Sequence, residues 1–426
     1  MKDVAAHSTT GPGTTTLGVS RLRWVVIGFA FFATVLNYID RQTLSVLAPT
    51  LKDEFGMSDS QYGLIITSFL FAYTISNGVS GAFVDRVGSK IGYAIFVTWW
   101  SIAGILHAFA RGPWSLGAFR FLLGVGEAGN WPAAVKVVSE WFPAHERTLA
   151  AGIFNSGAAI GAVVAAPLVA FIAIQSGWRS AFIITGALGF IWVAGWLAIF
   201  RTRVGAISQA PAPRVPVRQL LRTRFMVVFT LSKIFMDPVW YFYIFWIPKY
   251  LHDVFDFSLA DIGKTAWIPF VTADIGNLAG GFVTGWMIRR GVPIPKARKA
   301  GAAIFGVLMT AAIPAIFSSS PVQAIALISV ATFGYTGYTA NTLAFPAEVF
   351  PQGAVGSVWG LASMGSGFGG MIFASLSGWL IQHFGYVPVF IGYGILPLIG
   401  LSLVLFGLGP LVPESRFASE NAHAKS

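Results

Sequence analysis

Four ionisable residues interrupt two long apolar segments of the chain, Asp40 and Arg41 in one and Arg120 and Glu127 in the other. An ionised side chain within lipid costs roughly 2.5 to 3.5 kcal/mol on insertion scales, so such residues commonly mark the path of an ion or a substrate. Carboxylates exchange protons, and guanidinium groups bind anions through a planar fork of donors. Together the four residues predict a site that moves protons and binds an anion.

The composition is typical of a membrane protein built from helices. Of the 426 residues, 55% are hydrophobic and only 11% are charged, against about 25% charged in soluble globular chains. The apolar runs are about 20 residues long, as membrane-spanning helices require, whereas strands of a membrane barrel need only about 10. The chain has no cysteine, which excludes disulfides, thiolate metal sites and thiol nucleophiles.

The apolar runs predict an all-α fold with twelve transmembrane helices in two six-helix bundles. They cover residues 24–47, 62–84, 93–110, 115–138, 148–174, 181–200, 225–251, 262–288, 300–317, 322–345, 355–381 and 386–411. Residues 201–224, rich in Pro and Arg, predict a linker between the bundles at 21–200 and 225–412. The polar tail at 1–20 is expected to be disordered, and residues 413–426 form a C-terminal tail.

The basic residues predict how the chain is oriented. The net charge is +11, but these residues lie between the apolar segments, which favours membrane orientation over nucleic-acid binding. Most of the 28 Lys and Arg residues fall on the side of both termini, and the opposite loops contain only Lys52, Arg111, Arg179, Lys249 and Lys264. Cytoplasmic loops carry the excess of Lys and Arg, so we expect both termini in the cytoplasm.

A weak internal sequence repeat indicates two related halves. Residues 81–90 (GAFVDRVGSK) end the second predicted helix, and residues 281–290 (GFVTGWMIRR) end the eighth at the corresponding loop. The second copy is degenerate. Paired halves with a binding site at their interface are the usual construction of secondary transporters.

Several motifs resemble one transporter family. The loop G-x-x-x-D-R-x-G-x-K at 81–90 resembles the signature loop of the major facilitator superfamily. Residues 37–41 (NYIDR), 119–132 (FRFLLGVGEAGNWP) and 237–251 (DPVWYFYIFWIPKYL) resemble the anion:cation symporter family, especially its bacterial hexuronate and sugar-acid members. One position departs from that pattern, because Ala158 follows Asn155-Ser156-Gly157 where some sugar-acid carriers have glutamine.

The resemblance implies a carrier that imports a small organic anion together with protons by alternating access. It implies proton-coupling roles for Asp40 and Glu127 and anion-binding roles for Arg41 and Arg120. It implies a location in the bacterial inner membrane, with the lipid bilayer and the anion as partners. No cofactor or metal is expected, and the proton is the coupling ion. Since one chain contains both halves, we expect a functional monomer.

Helical rise predicts that the two arginines lie at one level. At about 1.5 Å per residue, Arg41 is roughly 5 Å and Arg120 about 7 Å from the outer edge of the apolar core, where both can clamp one carboxylate. Glu127 lies two turns deeper on nearly the same face. Burial disfavours the charged form of a carboxylate, whereas a nearby arginine favours the charged form. Proton coupling depends on that competition. The alternative is that Asp40–Arg120 or Glu127–Arg41 form static salt bridges.

Further polar and aromatic residues are candidates for the pocket or the gates. Substrate contacts are predicted for Tyr73, Asn37, Asn155, Trp240, Tyr241 and Asn341, with Tyr243, Asp274 and Asn277 as weaker candidates; helix packing is the alternative for each. Gating contacts at the cytoplasmic loops are predicted for Asp85, Arg86, Lys90, Glu140 and Arg147. Lys233 and Asp237 are spaced i, i+4 and can neutralise each other, which leaves structural pairing, gating and substrate binding open.

Other functions have less support from the sequence. Within transport, the alternative substrates are aromatic or dicarboxylic acids and phosphate. An enzyme would need a nucleophile–base set or a metal cluster, and the six histidines show no ligand spacing. A transporter-like sensor would usually carry an added output domain. No G-x-x-x-x-G-K-[ST] motif for ATP binding occurs, so an ion gradient is the expected energy source.

Overall fold

The computed structural model describes residues 16–143, 146–200 and 216–412, and these ranges contain helices but no strands. Most of the expected tail 1–20, most of the expected linker 201–224 and the whole tail 413–426 lie outside the described residues. The described ranges therefore consist essentially of the two predicted bundles.

Six spans form the N-terminal half. Span 1 is Thr16–Val46, continued by Ala48–Phe55; span 2 is Asp59–Val87; span 3 is Ser89–Leu106 with a 3₁₀ turn at His107–Phe109; span 4 comprises Pro113–Glu127 and Asn130–Trp141; span 5 is Arg147–Ser176; and span 6 is Trp178–Ile199. Each corresponds to one predicted helix. The boundaries differ from the predicted ones by several residues, because helices extend beyond the apolar core into their loops.

Six further spans form the C-terminal half. After a short helix at Val217–Leu220, span 7 is Arg224–Phe255; span 8 comprises Leu259–Thr265 and Ile268–Arg289; span 9 comprises Ile294–Leu308, Met309–Ala311 and Ala312–Ala315; span 10 is Pro321–Thr342, followed by Phe345–Val349; span 11 is Gln352–Phe384; and span 12 is Val387–Ser402, ending in Leu403–Gly407. Among the described residues, eight helices are individually long and apolar enough to cross a membrane. The prediction of an all-α membrane fold with twelve spans is confirmed.

Local chemistry fixes where several spans begin and end. Ser58 caps span 2 by accepting a hydrogen bond from the Gln61 backbone, while the Gln61 side chain accepts from the Ser58 N–H. This reciprocal capping satisfies two donors that a helix start leaves free. Span 2 ends at Gly88, whose φ of 86° lies in the left-handed region that glycine adopts without strain. The chain can therefore turn sharply into span 3.

Span 4 is divided at Ala128–Gly129, although the sequence predicted one continuous helix at 115–138. Pro132 has no N–H and cannot bond the Ala128 carbonyl four residues earlier. That carbonyl instead accepts a hydrogen bond from Ser80 Oγ of span 2, at 3.1 Å. The break leaves Glu127 as the last residue of the first helical segment.

The spans pack mainly within their own half. In the N-terminal half, span 1 packs on spans 5 and 6, span 2 on span 4, and span 3 on spans 4 and 6. In the C-terminal half, span 7 packs on spans 11 and 12, and span 10 on spans 8 and 9. In the described part of the chain, the halves meet mainly along three pairs of spans, 2 with 11, 5 with 8, and 1 with 7. Two bundles with a shared central interface result.

The halves are closed against each other at one end. We call the end at which span 6 finishes and span 7 begins the linker end, and the opposite one the far end. Tyr62 donates a hydrogen bond across the interface to the Phe245 carbonyl at 2.7 Å. A Cβ atom at Gly63 would lie 2.8 Å from the Ala374 carbonyl oxygen. Only a residue without a side chain permits this approach of spans 2 and 11.

Toward the linker end the same two spans diverge. Near the middle of the molecule, Gly367 of span 11 still packs against the Thr74 side chain of span 2. Gly78 and Gly360 continue the same two helix faces by one and two turns. A Cβ atom at either glycine would have no atom of another described span within 4 Å. The central interface is therefore open toward the linker end.

A buried ion network joins the halves at the far end. Lys249 Nζ of span 7 is 2.7 Å from Asp59 Oδ1 of span 2, and it also contacts Asp253 of its own span. Lys52 approaches the same Asp59 oxygen at 2.8 Å, and the Tyr386 hydroxyl donates to Asp253 at 2.7 Å. Lys249 is only 1% exposed. We call these five residues the far-end clamp.

The charges of the far-end clamp balance, with two lysines and two aspartates. Burial by itself would lower the pKa of Lys52, but the Asp59 carboxylate beside it holds the pKa above its ordinary value. Lys52 therefore stays protonated at neutral pH. Removing one partner of a buried pair leaves the other charge uncompensated, which typically costs about 3 kcal/mol or more.

We expect Lys249→Met to shift the protein toward states that are open at the far end. A cost of about 3 kcal/mol to the closed state would change the ratio of closed to open molecules more than 100-fold. Since the chain has no cysteine, spin labels can be attached at Arg111→Cys and His383→Cys, on opposite halves of the far end. Double electron–electron resonance should then show a longer distance.

The control for this experiment is Arg179→Met. That change breaks an exposed ion pair with Glu54, at 3.4 Å within the N-terminal half, and surface pairs contribute little. The label distances of this variant should match those of the parent protein. An unchanged distribution in Lys249→Met would show that the far-end clamp does not hold the halves together.

Candidate functional site

Arg41 and Glu127 form a buried ion pair between spans 1 and 4. Arg41 Nε donates to Glu127 Oε2 at 2.9 Å, and Arg41 Nη2 lies 2.8 Å from the same oxygen. Arg41 is 4% exposed and Glu127 is fully buried. The other carboxylate oxygen, Oε1, accepts no hydrogen bond from the described residues. Glu127 thus commits one oxygen to Arg41 and keeps one available.

Arg120 lies at the same level as Arg41, as the helical rise predicted. Its Nη2 donates to the Arg41 carbonyl oxygen at 3.0 Å. Its Nε and Nη1 are buried and have no hydrogen-bond partner in the described part of the chain. Unpaired donors of a buried guanidinium are costly, and Arg120 keeps donors that no described protein group uses.

Asp40 points away from Arg41, into the packing of the N-terminal half. Its Oδ1 would lie 3.8 Å from a Cβ atom at Gly104 of span 3, and Thr185 of span 6 lies beside its carboxyl group. Asp40 is 4% exposed, and Oδ1 has no hydrogen-bond partner among the described residues. Adjacent residues on a helix are about 100° apart, so Asp40 and Arg41 face different neighbours.

Three aromatic rings surround the Arg41 guanidinium. Its central carbon is 4.9 Å from the Tyr38 ring, 5.3 Å from the Phe69 ring and 4.9 Å from the Tyr73 ring. Arg120 is 5.8 Å from the same Phe69 ring. Aromatic faces attract cations and exclude water, so the rings hold both charges in a weakly polar setting. Tyr73 was predicted as a substrate contact, and it remains partly exposed beside Arg41.

The three predicted asparagines lie in different places. Asn37 accepts a hydrogen bond from Arg41 Nη2 at 3.2 Å and is fully buried. Asn155 is exposed on span 5. Asn341 is held between helices, since its amide donates to the Gly337 carbonyl at 2.8 Å and its oxygen accepts from Thr284. The structure therefore groups Asn37 with the arginines and places Asn341 in the packing of spans 8 and 10.

The C-terminal half contributes a second polar group, on span 7. Lys233 and Asp237 pair at 3.3 Å, as their spacing predicted. Trp240 stacks on Tyr335 of span 10, with ring centroids 5.2 Å apart. Tyr241 lies close enough to Arg41 and Asp237 to interact electrostatically with both. Tyr241 thus connects the polar groups of the two halves.

The weaker candidates of the C-terminal half are scattered. The Tyr243 hydroxyl is fully buried and accepts or donates no hydrogen bond within the described ranges. Asp274 is half-buried on span 8, and Asn277 is exposed on the same helix. None of the three has a described contact with the arginines.

The contacts described for the predicted gating residues at the linker end lie within their own half. Lys136 pairs with Asp85 at 3.0 Å, and Glu140 accepts a hydrogen bond from Ser89. Arg147 donates to the carbonyl oxygens of Phe142 and Ser139, each at 3.1 Å. Arg86 and Lys90 have no side-chain partner among the described residues. This matches an interface that is open at the linker end, where contacts between the halves would be broken.

Sequence reasoning missed three parts of the arrangement. Tyr38 and Phe69 flank Arg41, and Tyr335 completes the group around Asp237, but an aromatic residue in an apolar helix gives no local signal of its partner. The far-end clamp joins Lys249 to Asp59, which are far apart in the chain.

In the described part of the chain, no group of three His, Asp or Glu side chains is placed to hold a metal ion.

The comparisons with known proteins agree with this arrangement. The model of the Major Facilitator Superfamily matches residues 30–313 and 275–425. The chain is 32% identical over 421 residues to the hexuronate transporter of Escherichia coli strain K12, covering 94% of this chain and 97% of that one. It is 35% identical over 283 residues to the galacturonate transporter of Dickeya chrysanthemi, covering 62% of this chain and 82% of that one.

Solved structures of low sequence similarity share the fold. A bacterial homolog of the human lysosomal transporter Spinster, in an inward-facing and occupied conformation, aligns with a TM-score of 0.73 at 20% identity, covering 91% of this chain and 95% of that chain. The family match extends over nearly the whole chain, and the two bundles have the arrangement that it requires. The chain therefore belongs to the Major Facilitator Superfamily and is a multi-pass membrane transporter.

Proposed function

We propose that this transporter imports a hexuronate or a related sugar acid by proton symport. The observation that carries the proposal is the ion pair of Arg41 with Glu127, 2.8 Å apart and almost fully buried. A substrate carboxylate and Glu127 are alternative partners for the same guanidinium. The relatives named as hexuronate and galacturonate transporters support a sugar acid as the substrate.

Competition for Arg41 would couple the proton to the substrate. A proton on Glu127 removes its negative charge and weakens its hold on Arg41, which then binds the substrate carboxylate. Loss of the substrate leaves Arg41 unpaired, and this favours release of the proton and return of the ion pair. Proton and substrate thus raise each other's affinity, as thermodynamic linkage requires. Arg120, with its two unpaired donors, would be the second anion-binding group.

Asp40 would be the second proton site, separated from the substrate by the backbone of span 1. Its position beside Gly104 and Thr185 leaves it no basic partner within 4 Å among the described residues. A carboxylate without a compensating charge favours its neutral form when it is buried. Its protonation would remove a charge from the N-terminal half before the halves rearrange.

Alternating access would follow from the two ends of the interface. The excess of Lys and Arg favours the linker end as the cytoplasmic one, in a bacterial inner membrane with both termini inside. The described conformation, closed by the far-end clamp, would then be the one that releases substrate to the cytoplasm. One chain contains both halves, so the unit of transport would be the monomer.

We expect purified protein in liposomes to accumulate labelled galacturonate or glucuronate when an inward proton gradient is imposed. Without the gradient, or with a protonophore, the label should only equilibrate, because a symporter gains its driving force from the coupled ion. Failure to take up either acid would exclude hexuronates and turn the search to aromatic acids, dicarboxylates and phosphate.

Arg41→Ala should lower the apparent affinity for the transported acid by at least about 30-fold. A hydrogen bond to a charged group is worth about 2 kcal/mol, and about 1.4 kcal/mol corresponds to a tenfold change in affinity. The measurement is the concentration dependence of initial uptake. Arg179→Ala, which removes an exposed arginine of the same half, is the matched control and should transport normally. Equal affinity in Arg41→Ala would remove this residue from the binding site.

Glu127→Gln and Asp40→Asn should separate transport from proton coupling. Neither replacement can exchange a proton, so both variants should exchange labelled for unlabelled acid across the membrane but fail to accumulate it. In the parent protein, substrate binding should weaken as the pH rises; in Glu127→Gln it should be much less dependent on pH. Glu54→Gln, an exposed carboxylate of the same half, is the control. Gradient-driven accumulation by Glu127→Gln would refute the coupling role of Glu127.

A further inference from the structure

One face of span 7 continues the anion site of the N-terminal half. Lys233, Asp237, Tyr241 and Phe245 follow at intervals of four residues and therefore lie along one side of the helix. At the far-end side of this row, the Phe245 ring is 6.0 Å from Phe69, the ring that also lies beside both arginines. One turn along, Tyr241 lies within electrostatic range of Arg41. The row leads from the arginines toward the linker end.

Asp237 has hydrogen-bonding capacity that the protein does not use. Its Oδ1 accepts from Lys233 Nζ and from the Tyr335 hydroxyl, each at 3.3 Å. Its Oδ2 takes part in no hydrogen bond among the described residues, and 9% of the side chain is exposed. Lys233 Nζ carries three donors and contacts a single acceptor in the described ranges. The pair can therefore both accept and donate further hydrogen bonds.

Flat aromatic surfaces lie next to this pair. Trp240 and Tyr335 are nearly parallel, at 9° and with centroids 5.2 Å apart. The Tyr241 hydroxyl is 3.4 Å from Ser366 Oγ of span 11. A pyranose ring presents apolar C–H faces and a rim of hydroxyl groups. Aromatic rings pack against the C–H faces, while a carboxylate and an ammonium bond the hydroxyl rim.

We propose that Asp237, Lys233 and Tyr335, flanked by Trp240 and Tyr241, bind the hydroxyl groups of the substrate. This hydroxyl subsite rests on the proposed function, since it assumes that Arg41 holds the carboxylate of the same molecule. The sugar acid then spans the interface, with its carboxylate on the N-terminal half and its hydroxyl rim on the C-terminal half. A substrate in this position links the two halves.

The hydroxyl subsite makes the carrier selective for polyhydroxylated acids. An anion without hydroxyl groups, such as phosphate or an aromatic acid, would bury the polar atoms of Asp237 and Lys233 without replacing their bonds to water. Sites that bond a substrate hydroxyl discriminate strongly against analogues that lack it, because their own polar groups are left unpaired. The alternative role of the pair is structural, as a brace of span 7 next to Pro238.

The test compares galacturonate with tetrahydropyran-2-carboxylate, which has the same ring and carboxylate but no hydroxyl groups. The affinity of each is measured as inhibition of labelled galacturonate uptake in liposomes. We expect Asp237→Asn and Tyr335→Phe to weaken galacturonate binding by about 10- to 100-fold. Binding of tetrahydropyran-2-carboxylate should change by less than about twofold, since this probe has no hydroxyl group that could bond Asp237 or Tyr335.

Two further variants make the outcomes distinguishable. Tyr250→Phe makes the same chemical change as Tyr335→Phe in a buried tyrosine of span 7. Among the described residues, its hydroxyl bonds the Ala315 carbonyl alone, at 3.5 Å, and both affinities should stay unchanged. Arg41→Ala should weaken both ligands together. If Asp237→Asn and Tyr335→Phe also weaken both ligands equally, or neither, the hydroxyl subsite is wrong. If Arg41→Ala leaves both affinities unchanged, the proposed function itself fails.

Discussion

The buried ion pair of Arg41 and Glu127 is the interaction on which the site depends. Two opposite charges within an apolar bundle stabilise each other, but either one alone would be uncompensated. The pair is therefore stable only while both partners stay charged, and a proton or a second anion disturbs it. Arg120 is next to the pair and donates to the backbone of Arg41, so any anion that binds here meets two guanidinium groups.

The fold surrounds the two residues of this pair differently and encloses the site more tightly at the far end than at the linker end. Aromatic rings of spans 1 and 2 enclose the guanidinium of Arg41, and the divided span 4 places Glu127 at the end of a helical segment. On the far-end side, the far-end clamp around Lys249 and the close approach of spans 2 and 11 at Gly63 hold the halves together. On the linker side the same spans separate. A site in the middle of such an interface is accessible from one side at a time, as alternating access requires.

The two halves contribute unlike chemistry to the interface. The N-terminal half has four buried ionisable residues, Asp40, Arg41, Arg120 and Glu127, whereas the C-terminal half has the Lys233–Asp237 pair and the stacked rings of Trp240 and Tyr335. Tyr241 lies within electrostatic range of both Arg41 and Asp237. In the proposed cycle the N-terminal half binds protons and the substrate carboxylate, and the C-terminal half binds the remainder of the substrate. The degenerate second copy of the signature loop agrees with this divergence.

The sequence by itself determined that the chain crosses a membrane twelve times and that Asp40, Arg41, Arg120 and Glu127 lie inside its spans. These are local properties, since lipid requires each span to be apolar and to satisfy its own backbone hydrogen bonds. Helical rise even placed Arg41 and Arg120 at one level. Only the tertiary structure decided which partner each charge takes. Asp40 and Arg41 are neighbours in the chain but face different helices, whereas Arg41 and Glu127 are 86 positions apart. Lys249 pairs with Asp59, and Asn341 is used in packing, because the rotation and approach of helices depend on side chains far apart in sequence.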